Sequence, residues 1–272
     1  MKWLITGGCG FIGTSLTREL VAEDVHTIRI LDNLTVGKRS DLAEIAAFRE
    51  TPPGDTRAMS DMFESGSVEL VQGDIRDAAL CLRAAEGADV IVHLAASTGV
   101  EPSVLEPRFD CDTNVIGTLN MLEAARHCGA TRFVFASSGA PIGECQPPIH
   151  EEMPAHPVSP YGASKLAGEG YCSAYFRSFG IETVALRFGN VYGPGSGHKS
   201  SVVAKFIRKA MRGEALEIYG DGRQTRDFIF IGDLVRAVRL AATQPRVGGE
   251  VFQIATNAET TVGELVDILV PI

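Results

Sequence analysis

Two residues that could move a proton lie one helical turn apart in the middle of the chain, Tyr161 and Lys165. The residues before them suit a helix start, because Ser159 can cap the first turn and Pro160 fits the first helical position. Side chains four residues apart on a helix project from the same face. An ammonium held there favours the phenolate and lowers the tyrosine pKa from its ordinary ~10, so the pair predicts a general base. The alternative is a surface tyrosine and lysine on an amphipathic helix.

A glycine-rich turn near the N-terminus predicts a nucleotide site. A short apolar strand over residues 3–5 runs into three glycines spaced three apart, and a helix from Thr14 to about Glu23 follows. Glycine lets the backbone turn tightly and approach a pyrophosphate at a helix N-terminus. The glycines are Gly7, Gly10 and Gly13.

A carboxylate stands where a dinucleotide site needs one. A second apolar strand, residues 27–31, leads into Asp32, which follows Gly13 by 19 positions. A carboxylate there accepts the adenosine ribose hydroxyls and repels a 2′-phosphate. Asp32 could instead be an ordinary residue at a strand end, but together with the glycines it predicts NAD binding.

Strands alternate with helices along the first two thirds of the chain. The further predicted strands are 68–75, 88–96, 132–138 and 183–188. This alternation predicts an α/β fold with a doubly wound parallel sheet, a Rossmann fold, whose ligands lie beyond the carboxyl ends of the strands. Ser138, Tyr161 and Asn190 fall at that edge, although the serine could simply cap a loop.

The alternation breaks after residue 190. A glycine-rich loop, a helix over residues 201–212 and a strand-turn-strand pattern over residues 218–231 follow. We therefore predict a dinucleotide-binding domain, residues 1–189, and a small C-terminal α/β substrate lobe, residues 190–272, with room for late elements to return to the sheet.

Composition excludes several classes of function. The chain has 272 residues, a net charge of −9 and no dense run of lysine or arginine, which argues against nucleic-acid binding. Its six cysteines are scattered without metal-ligand spacing, so we expect no metal and reduced thiols, as in the cytoplasm. No apolar run approaches 18 residues, and the N-terminal one is too short for a signal peptide, so we expect no membrane partner.

These features and others in the same order make the chain resemble a known family over nearly its whole length. It resembles the nucleotide-sugar epimerase/dehydratase branch of the extended short-chain dehydrogenase/reductases, and is most similar in texture to UDP-sugar 4-epimerases. The further marks are Asp32-Asn33-Leu34, Gly73-Asp74-Ile75, His93-Leu94-Ala95-Ala96, Asn114, Ser137-Ser138, Leu186-Arg187-Phe188-Gly189-Asn190-Val191-Tyr192-Gly193-Pro194, Tyr219-Gly220-Asp221-Gly222 and Arg226-Asp227.

The resemblance implies a role for each part of the site. Tyr161 would be the catalytic base, Lys165 would hold the nicotinamide ribose and lower the tyrosine pKa, and Ser138 would hydrogen-bond the sugar oxygen that is oxidised. The implied NAD-binding residues are Gly7, Gly10, Phe11, Ile12, Gly13, Asp32, Asn33, Asp74, Ile75, Leu94, Ala95, Ala96, Asn114, Tyr161 and Lys165.

The resemblance also implies a nucleotide-diphosphate sugar as substrate. Besides Ser138, its contacts would be Asn190 and Arg226 on the diphosphate and Tyr219 near the nucleobase. Arginine suits phosphate because its planar fork matches two oxygens and stays charged. Arg226 could instead pair with Asp227, and Asn190 could be an ordinary turn residue.

The chain departs from the family pattern in the loop after Ser138. The residues Pro141-Ile142-Gly143 stand where Val-Tyr-Gly is usual, so that loop could be shaped differently. Related 4,6-dehydratases carry an Asp-Glu pair where this chain has Gly139 and Ala140, which favours an epimerase, although Glu144 could supply an acid. The chain also stops at Ile272, inside a helix-like run, where relatives continue into further contacts with the substrate.

Two rival functions remain. One is a 4,6-dehydratase or another NAD-dependent enzyme that modifies nucleotide sugars. The other is a non-catalytic NAD-binding sensor on the same fold. In resembling proteins the helices near residues 112–127 and 160–178 pack across a two-fold axis, which implies a homodimer.

Overall fold

A parallel β-sheet forms the centre of the molecule. A computed structural model describes residues 1–24, 26–51, 66–198 and 201–269. The strands among them are β1 (Lys2–Thr6), β2 (Thr27–Asp32), β3 (Arg49–Thr51), β4 (Val68–Gln72), β5 (Val90–His93), β6 (Arg132–Ser138), β7 (Glu182–Phe188), β8 (Asn190–Tyr192), β9 (Thr225–Arg226), β10 (Phe228–Phe230), β11 (Val251–Ile254) and β12 (Thr260–Thr261).

Eight of these strands form the main sheet in the order β11-β7-β6-β5-β1-β2-β4-β3, with every neighbouring pair parallel. The chain first winds from β1 towards β3 and then returns to wind from β5 towards β11. The order therefore reverses between β1 and β5, which is where a doubly wound sheet opens a crevice for a ligand. The predicted fold class is confirmed.

Helices cover both faces of the sheet. They are α1 (Phe11–Ala22), α2 (Arg39–Ala43), α3 (Ala78–Ala85), α4 (Val100–Leu105), α5 (Pro107–Cys111), α6 (Gly117–Cys128), α7 (Pro160–Phe179), α8 (Val202–Met211), α9 (Ile231–Thr243) and α10 (Val262–Leu269). In the described ranges, none of these helices has the length and apolar character needed to span a bilayer.

Alternate residues of β1 enter different cores, as the two-residue period of a strand requires. Trp3 and Ile5 pack with α1 and α9 on one face. Leu4 packs with α3, α6 and α7 on the other face. Both faces are therefore apolar, as expected for a sheet covered by helices.

The structure differs from the predicted elements at three places. A short strand, β3, lies in the stretch 37–67 that was expected to hold only helix and loop, and residues 52–65 of that stretch lie outside the described residues. The expected helix over 110–127 is interrupted by a π-helical turn at Asp112–Ile116. The strand expected from residue 218 is wrong: residues 215–218 have no strand partner, because this segment is exposed and pairing begins only at β9.

The segment after residue 190 forms a small lobe and also returns to the main sheet. Two-stranded pairs join β8 to β10 and β9 to β12, and α8 packs against α10 through Phe206 and Leu265. In contrast, α9 joins the core of the main sheet, and β11 pairs with β7 at its edge. The lobe is thus connected to the sheet by elements on both sides of it.

Candidate active site

Helix α7 positions the Tyr161 and Lys165 side chains. It begins as predicted, since the Ser159 hydroxyl accepts a hydrogen bond from Gly162 N at 3.1 Å and Pro160 occupies the first turn. Lys165 Nζ lies 5.9 Å from the centre of the Tyr161 ring. The two side chains therefore share one face of the helix.

The Lys165 side chain is buried against β6. Its Nζ donates a hydrogen bond to the carbonyl oxygen of Ala136 at 2.9 Å and lies 4.9 Å from the centre of the Phe135 ring. Close approach of helix and strand depends on Gly168, where an added Cβ would lie 2.3 Å from the Phe135 ring. The lysine is thus fixed in place by the sheet.

Ser138 joins this pair from the end of β6. Its side chain interacts with the Tyr161 phenol and acts to lower the pKa of that phenol. Its hydroxyl accepts a hydrogen bond from Ala140 N at 3.2 Å. The structure therefore brings together the three residues that the sequence singled out for catalysis. Two come from one helical turn and the third from a strand end.

The electrostatics of this group differ from the sequence-based expectation. Burial raises the pKa of Tyr161 above its ordinary value, and the interaction with Ser138 acts in the opposite direction without overcoming it. Burial lowers the pKa of Lys165 to about 8. The expected depression of the tyrosine pKa is therefore not seen in the polypeptide alone, because the effect of burial is larger than the opposing effect of Ser138.

A buried ion pair that sequence reasoning missed lies between α7 and the sheet, next to the candidate catalytic residues. Glu169 receives two hydrogen bonds from Arg187 on β7, at 2.9 and 2.8 Å, and one from the Ser137 hydroxyl at 2.5 Å. Both partners of the ion pair are about 5% exposed. This pair ties α7 to β6 and β7, and Glu169 stands one turn after Lys165.

The glycine turn presents bare backbone at the start of α1. Gly7 has a φ of 68°, and an added Cβ at Gly13 would lie 2.5 Å from the Gly7 carbonyl oxygen. The carboxylate of Asp32 accepts hydrogen bonds from Cys9 N at 2.9 Å and from Leu34 N at 2.8 Å. Carboxylate oxygens have further lone pairs for ribose hydroxyls, so these residues fit a dinucleotide.

Two more predicted cofactor residues meet beside Asp32. Asn33 Nδ2 donates to Asp74 Oδ2 at 3.2 Å, and Arg76 pairs with the same carboxylate at 2.8 Å. The Arg76 guanidinium lowers the pKa of Asp74 to about 2. In contrast, the Ile75 side chain is buried in the core beside Gly117, so only its backbone could face a ligand.

The loop after β5 lies against the glycine turn. An added Cβ at Gly7 would lie 2.8 Å from Ala95 N, which places the Leu94-Ala95-Ala96 segment next to the predicted pyrophosphate site. The loop is held against the end of β1, since Ala95 N donates a hydrogen bond to the Thr6 hydroxyl at 3.2 Å. The predicted roles of Leu94, Ala95 and Ala96 stay predictions.

Asn114 lies in the π-helical turn and is buried. Its Oδ1 accepts a hydrogen bond from Ser97 N at 2.8 Å. Its Nδ2 donates to Ser97 O, Asp110 Oδ1 and Ser164 Oγ, at 2.9, 2.9 and 3.2 Å. Both ends of the Asn114 amide therefore form hydrogen bonds within the protein, and these bonds hold the loop after β5 against α7. Its predicted contact with the nicotinamide region is not tested by this arrangement.

Three of the predicted substrate residues, Asn190, Tyr219 and Arg226, lie in the segment after residue 189. Asn190 begins β8, and its Nδ2 donates to the Asp227 carbonyl at 3.1 Å, next to Arg226 on β9. Tyr219 is exposed, and Lys205 Nζ lies 5.4 Å from the centre of its ring. Sequence reasoning assigned no role in the site to Lys205.

The Arg226 guanidinium is free of the expected partner. The Asp227 carboxylate instead accepts hydrogen bonds from Thr256 N and Oγ1 and from Ala258 N, at 2.8 to 3.3 Å. Across the residues that the structure describes, Arg226 forms no ion pair and donates only to the neighbouring Thr225 carbonyl. The ion-pair alternative for Arg226 is therefore not seen.

The loop after Ser138 offers no acid next to the catalytic residues. Gly139 has open space where a Cβ would point, and Glu144 is exposed. Pro141 and Ile142 are buried in the protein, where the family pattern has an aromatic residue in place of Ile142. The geometry thus supports oxidation at a sugar carbon and gives no support for elimination of water.

Known proteins are similar to this chain in sequence. The model of the NAD dependent epimerase/dehydratase family matches residues 3–255. A UDP-glucose 4-epimerase from Mycolicibacterium smegmatis is 38% identical over 269 residues, which are 97% of this chain and 80% of that protein.

Two solved structures show the same fold. One is the UDP-glucose 4-epimerase from Thermotoga maritima with UDP-glucose, which is 33% identical with a TM-score of 0.84, and the match covers 99% of this chain and 81% of that one. The other is a dTDP-glucose 4,6-dehydratase from Streptomyces venezuelae with NAD, 33% identical with a TM-score of 0.83, and the match covers 100% and 80%. The predicted family resemblance is confirmed.

Proposed function

The chain belongs to the NAD dependent epimerase/dehydratase family, and we propose that within this family it is a UDP-sugar 4-epimerase that works through a transient 4-keto sugar. The observation that carries this proposal is the placement of the Tyr161 ring beside the buried Lys165, where the Ser138 side chain also acts on the phenol, with no side-chain acid at Gly139. Such a group can move a proton to and from a sugar hydroxyl, but it has no acid to expel water.

In the proposed reaction Tyr161 accepts the proton of the sugar 4-hydroxyl while Ser138 holds the oxygen. Bound NAD would supply the acceptor, and later the donor, of the hydride of carbon 4, and its positive ring would favour the phenolate that burial disfavours. In the first step the C–H bond would lose its hydride and the O–H bond its proton, which leaves a ketone at carbon 4. Hydride return to the other face of the ketone, with the proton given back by Tyr161, forms the epimer. No atom is gained or lost over the whole cycle.

The substrate is proposed to be anchored through its diphosphate in the lobe. Arg226 supplies a guanidinium that has no ion-pair partner among the described residues, and Asn190 Nδ2 donates to the carbonyl of Asp227, the residue that follows Arg226. Tyr219 and Lys205 lie in the same lobe as an exposed aromatic ring and a cation that suit a nucleobase. A diphosphate held there would let the keto sugar turn over without leaving the site.

A 4,6-dehydratase is the second candidate, because dehydratases of this family match the chain over its whole length. The exposed Glu144 is the nearest carboxylate in the loop sequence that could serve as its acid. Against it stands the absence of an acidic side chain at positions 139 and 140.

A panel of UDP-, GDP- and dTDP-sugars, with products identified by NMR, separates the candidates. An epimerase returns a stereoisomer of the same mass, whereas a dehydratase returns a 4-keto-6-deoxy sugar that has lost water. Tyr161→Phe serves as the inactive control. No turnover of any sugar by a protein that binds NAD would support the sensor and defeat the proposal.

We also propose that the protein is a homodimer in the cytoplasm. Apolar side chains are exposed on α4 to α7, where a second copy could cover them. They are Val104, Leu105, Phe109, Ile116, Tyr171 and Phe179. The free thiols suit a reducing compartment. Light scattering should give twice the chain mass, and a monomer at micromolar concentration would contradict the dimer.

A further inference from the structure

A buried carboxylate with no role in the reaction above packs against the catalytic helix. Asp110 lies on α5, which contacts α7, and it is only 2% exposed. Its Oδ1 accepts a hydrogen bond from Asn114 Nδ2 at 2.9 Å. Its Oδ2 is buried without a hydrogen-bond partner in the described part of the chain. A buried polar oxygen left in this state is costly and calls for an explanation.

Hydrogen bonds lead from Asp110 to the start of the catalytic helix. Asn114 Nδ2, which donates to Asp110, also donates to Ser164 Oγ at 3.2 Å. The Ser164 hydroxyl in turn donates to the Tyr161 carbonyl at 3.0 Å. The carboxylate therefore reaches the backbone of the catalytic tyrosine through two side chains, and its charge acts on both Tyr161 and Lys165.

Of the two carboxylates that raise the pKa of Lys165, Asp110 is the one without an ion-pair partner in the described part of the chain. The other carboxylate facing the lysine is Glu169, which is already neutralised by the two hydrogen bonds of Arg187. The thiol of Cys172 also faces the lysine, but burial raises its pKa far above the physiological range, so it carries no charge.

The remaining ionisable groups nearby do not compensate for Asp110. His93 is neutral, because burial lowers its pKa to about 3. On the stretch that carries Asp110, Arg108 pairs with Asp112 at 3.0 Å, and both are solvent-accessible. The carboxylates of the preceding helix and its end, Glu101 and Glu106, are exposed to water. Water screens exposed charges far more than buried ones.

We propose that Asp110 is a positioning residue whose buried carboxylate is the fixed counter-charge of Lys165 and, through Asn114 and Ser164, holds the first turn of the catalytic helix. The inference rests on the proposed function, since it assigns Lys165 to the catalytic centre. Burial alone would remove the proton of Lys165 near physiological pH, and Asp110 acts in the opposite direction. An ammonium at Lys165 is what the proposed reaction needs beside the phenolate.

The direct test is a titration of Lys165 in the full chain by NMR of ¹³C-labelled lysine. The chain has six lysines, so the spectrum is simple, and Lys165→Met identifies the signal. Asp110→Asn keeps an oxygen for Asn114 and removes the charge. We expect the Lys165 midpoint to move to lower pH by about one pH unit. The matched control is Asp112→Asn, which removes an exposed carboxylate paired with Arg108 and should leave the midpoint in place.

The pH profile of activity gives a second measurement that a purely structural role would not move. Asp110 raises the pKa of both Tyr161 and Lys165, so its removal should shift both limbs of the profile to lower pH. Asp110→Glu, which restores the charge, should bring the profile back towards the original. Thermal unfolding and NAD content are measured for every variant, and Asp110→Ser replaces Asp110→Asn if that variant does not fold.

The outcomes separate this inference from the proposed function. The lysine titration needs no sugar, so a shifted midpoint without turnover of any sugar would keep the inference and defeat the epimerase. An unchanged midpoint in a folded Asp110→Asn protein would overturn the inference, as would an equal shift in Asp112→Asn.

Discussion

The two ends of the candidate site are built in different ways. At the nucleotide end, backbone atoms and buried side chains form the site, and each polar group has a defined partner, as with Asp32 between Cys9 N and Leu34 N. At the sugar end, the candidate residues are exposed side chains of the lobe, such as Tyr219 and Arg226. A site made of packed backbone accepts one cofactor, whereas exposed side chains can be exchanged to suit different sugars without disturbing the fold.

The largest expected effect of a substitution is a loss of turnover at Tyr161, which lies between the nucleotide end and the sugar end of the candidate site. Tyr161→Phe removes only the phenolic oxygen and leaves the ring packing intact. Because general-base catalysis is typically worth about 10²- to 10⁴-fold, turnover should fall by at least that factor, with NAD content unchanged. Steady-state kinetics on the substrate found by the panel measures it. Ser138→Ala should cost less, since the base remains in place. Near-normal turnover in Tyr161→Phe would show that the phenolate is not the base.

The next effect tests the nucleotide end. In Gly13→Ala the added Cβ would lie 2.5 Å from the Gly7 carbonyl oxygen and from Gly8 Cα, and backbone atoms cannot move aside cheaply. We expect most of the bound NAD to be lost, as measured by mass spectrometry of the nucleotide released on denaturation. Gly170→Ala is the matched control, because no atom lies within 4 Å of its added Cβ. Full NAD content in Gly13→Ala would contradict the tightly packed turn.

The smallest of these effects tests the lobe. Arg226→Gln should raise the KM for the nucleotide sugar by roughly 10- to 100-fold, because hydrogen bonds to charged groups contribute about 1.5–3 kcal/mol. NAD content and kcat should change little. Arg223→Gln is the control, since Arg223 is 89% exposed and lies 3.7 Å from Asp221. Equal KM values in the two variants would mean that Arg226 does not hold the diphosphate.

The sequence predicts the nucleotide end better than the sugar end for a physical reason. The glycine spacing and the Ser159 cap determine the conformation of residues only a few positions away. A local sequence pattern is therefore enough to predict the turn and the helix start. Glu169 and Arg187 are 18 positions apart and meet only through the packing of α7 on the sheet. Nothing local distinguishes Asp110 from an exposed acid of the same helix, so its burial could not be predicted.

The errors in the predicted elements have the same origin. The segment from Ile218 has apolar and aromatic residues in strand-like order, but they are exposed and find no partner strand. The π-helical turn at Asp112–Ile116 carries no sequence signal that we used. Its Asn114 amide is held by Ser97, Asp110 and Ser164 from three separate segments. Tertiary partners, rather than local preference, decide these places.

The pairing of β11 with β7 at the edge of the sheet also bears on when the site is assembled during synthesis. The loop after Ser138 is fastened at Glu151, whose carbonyl accepts from Arg187 at 3.4 Å and whose carboxylate accepts from Gln253 N at 2.7 Å. Gln253 lies on β11, 102 positions later in the chain. A ribosome that has made all three catalytic residues has therefore not yet made the strand that fastens this loop. The nascent chain can fasten this loop only once β11 has emerged and joined the edge of the sheet.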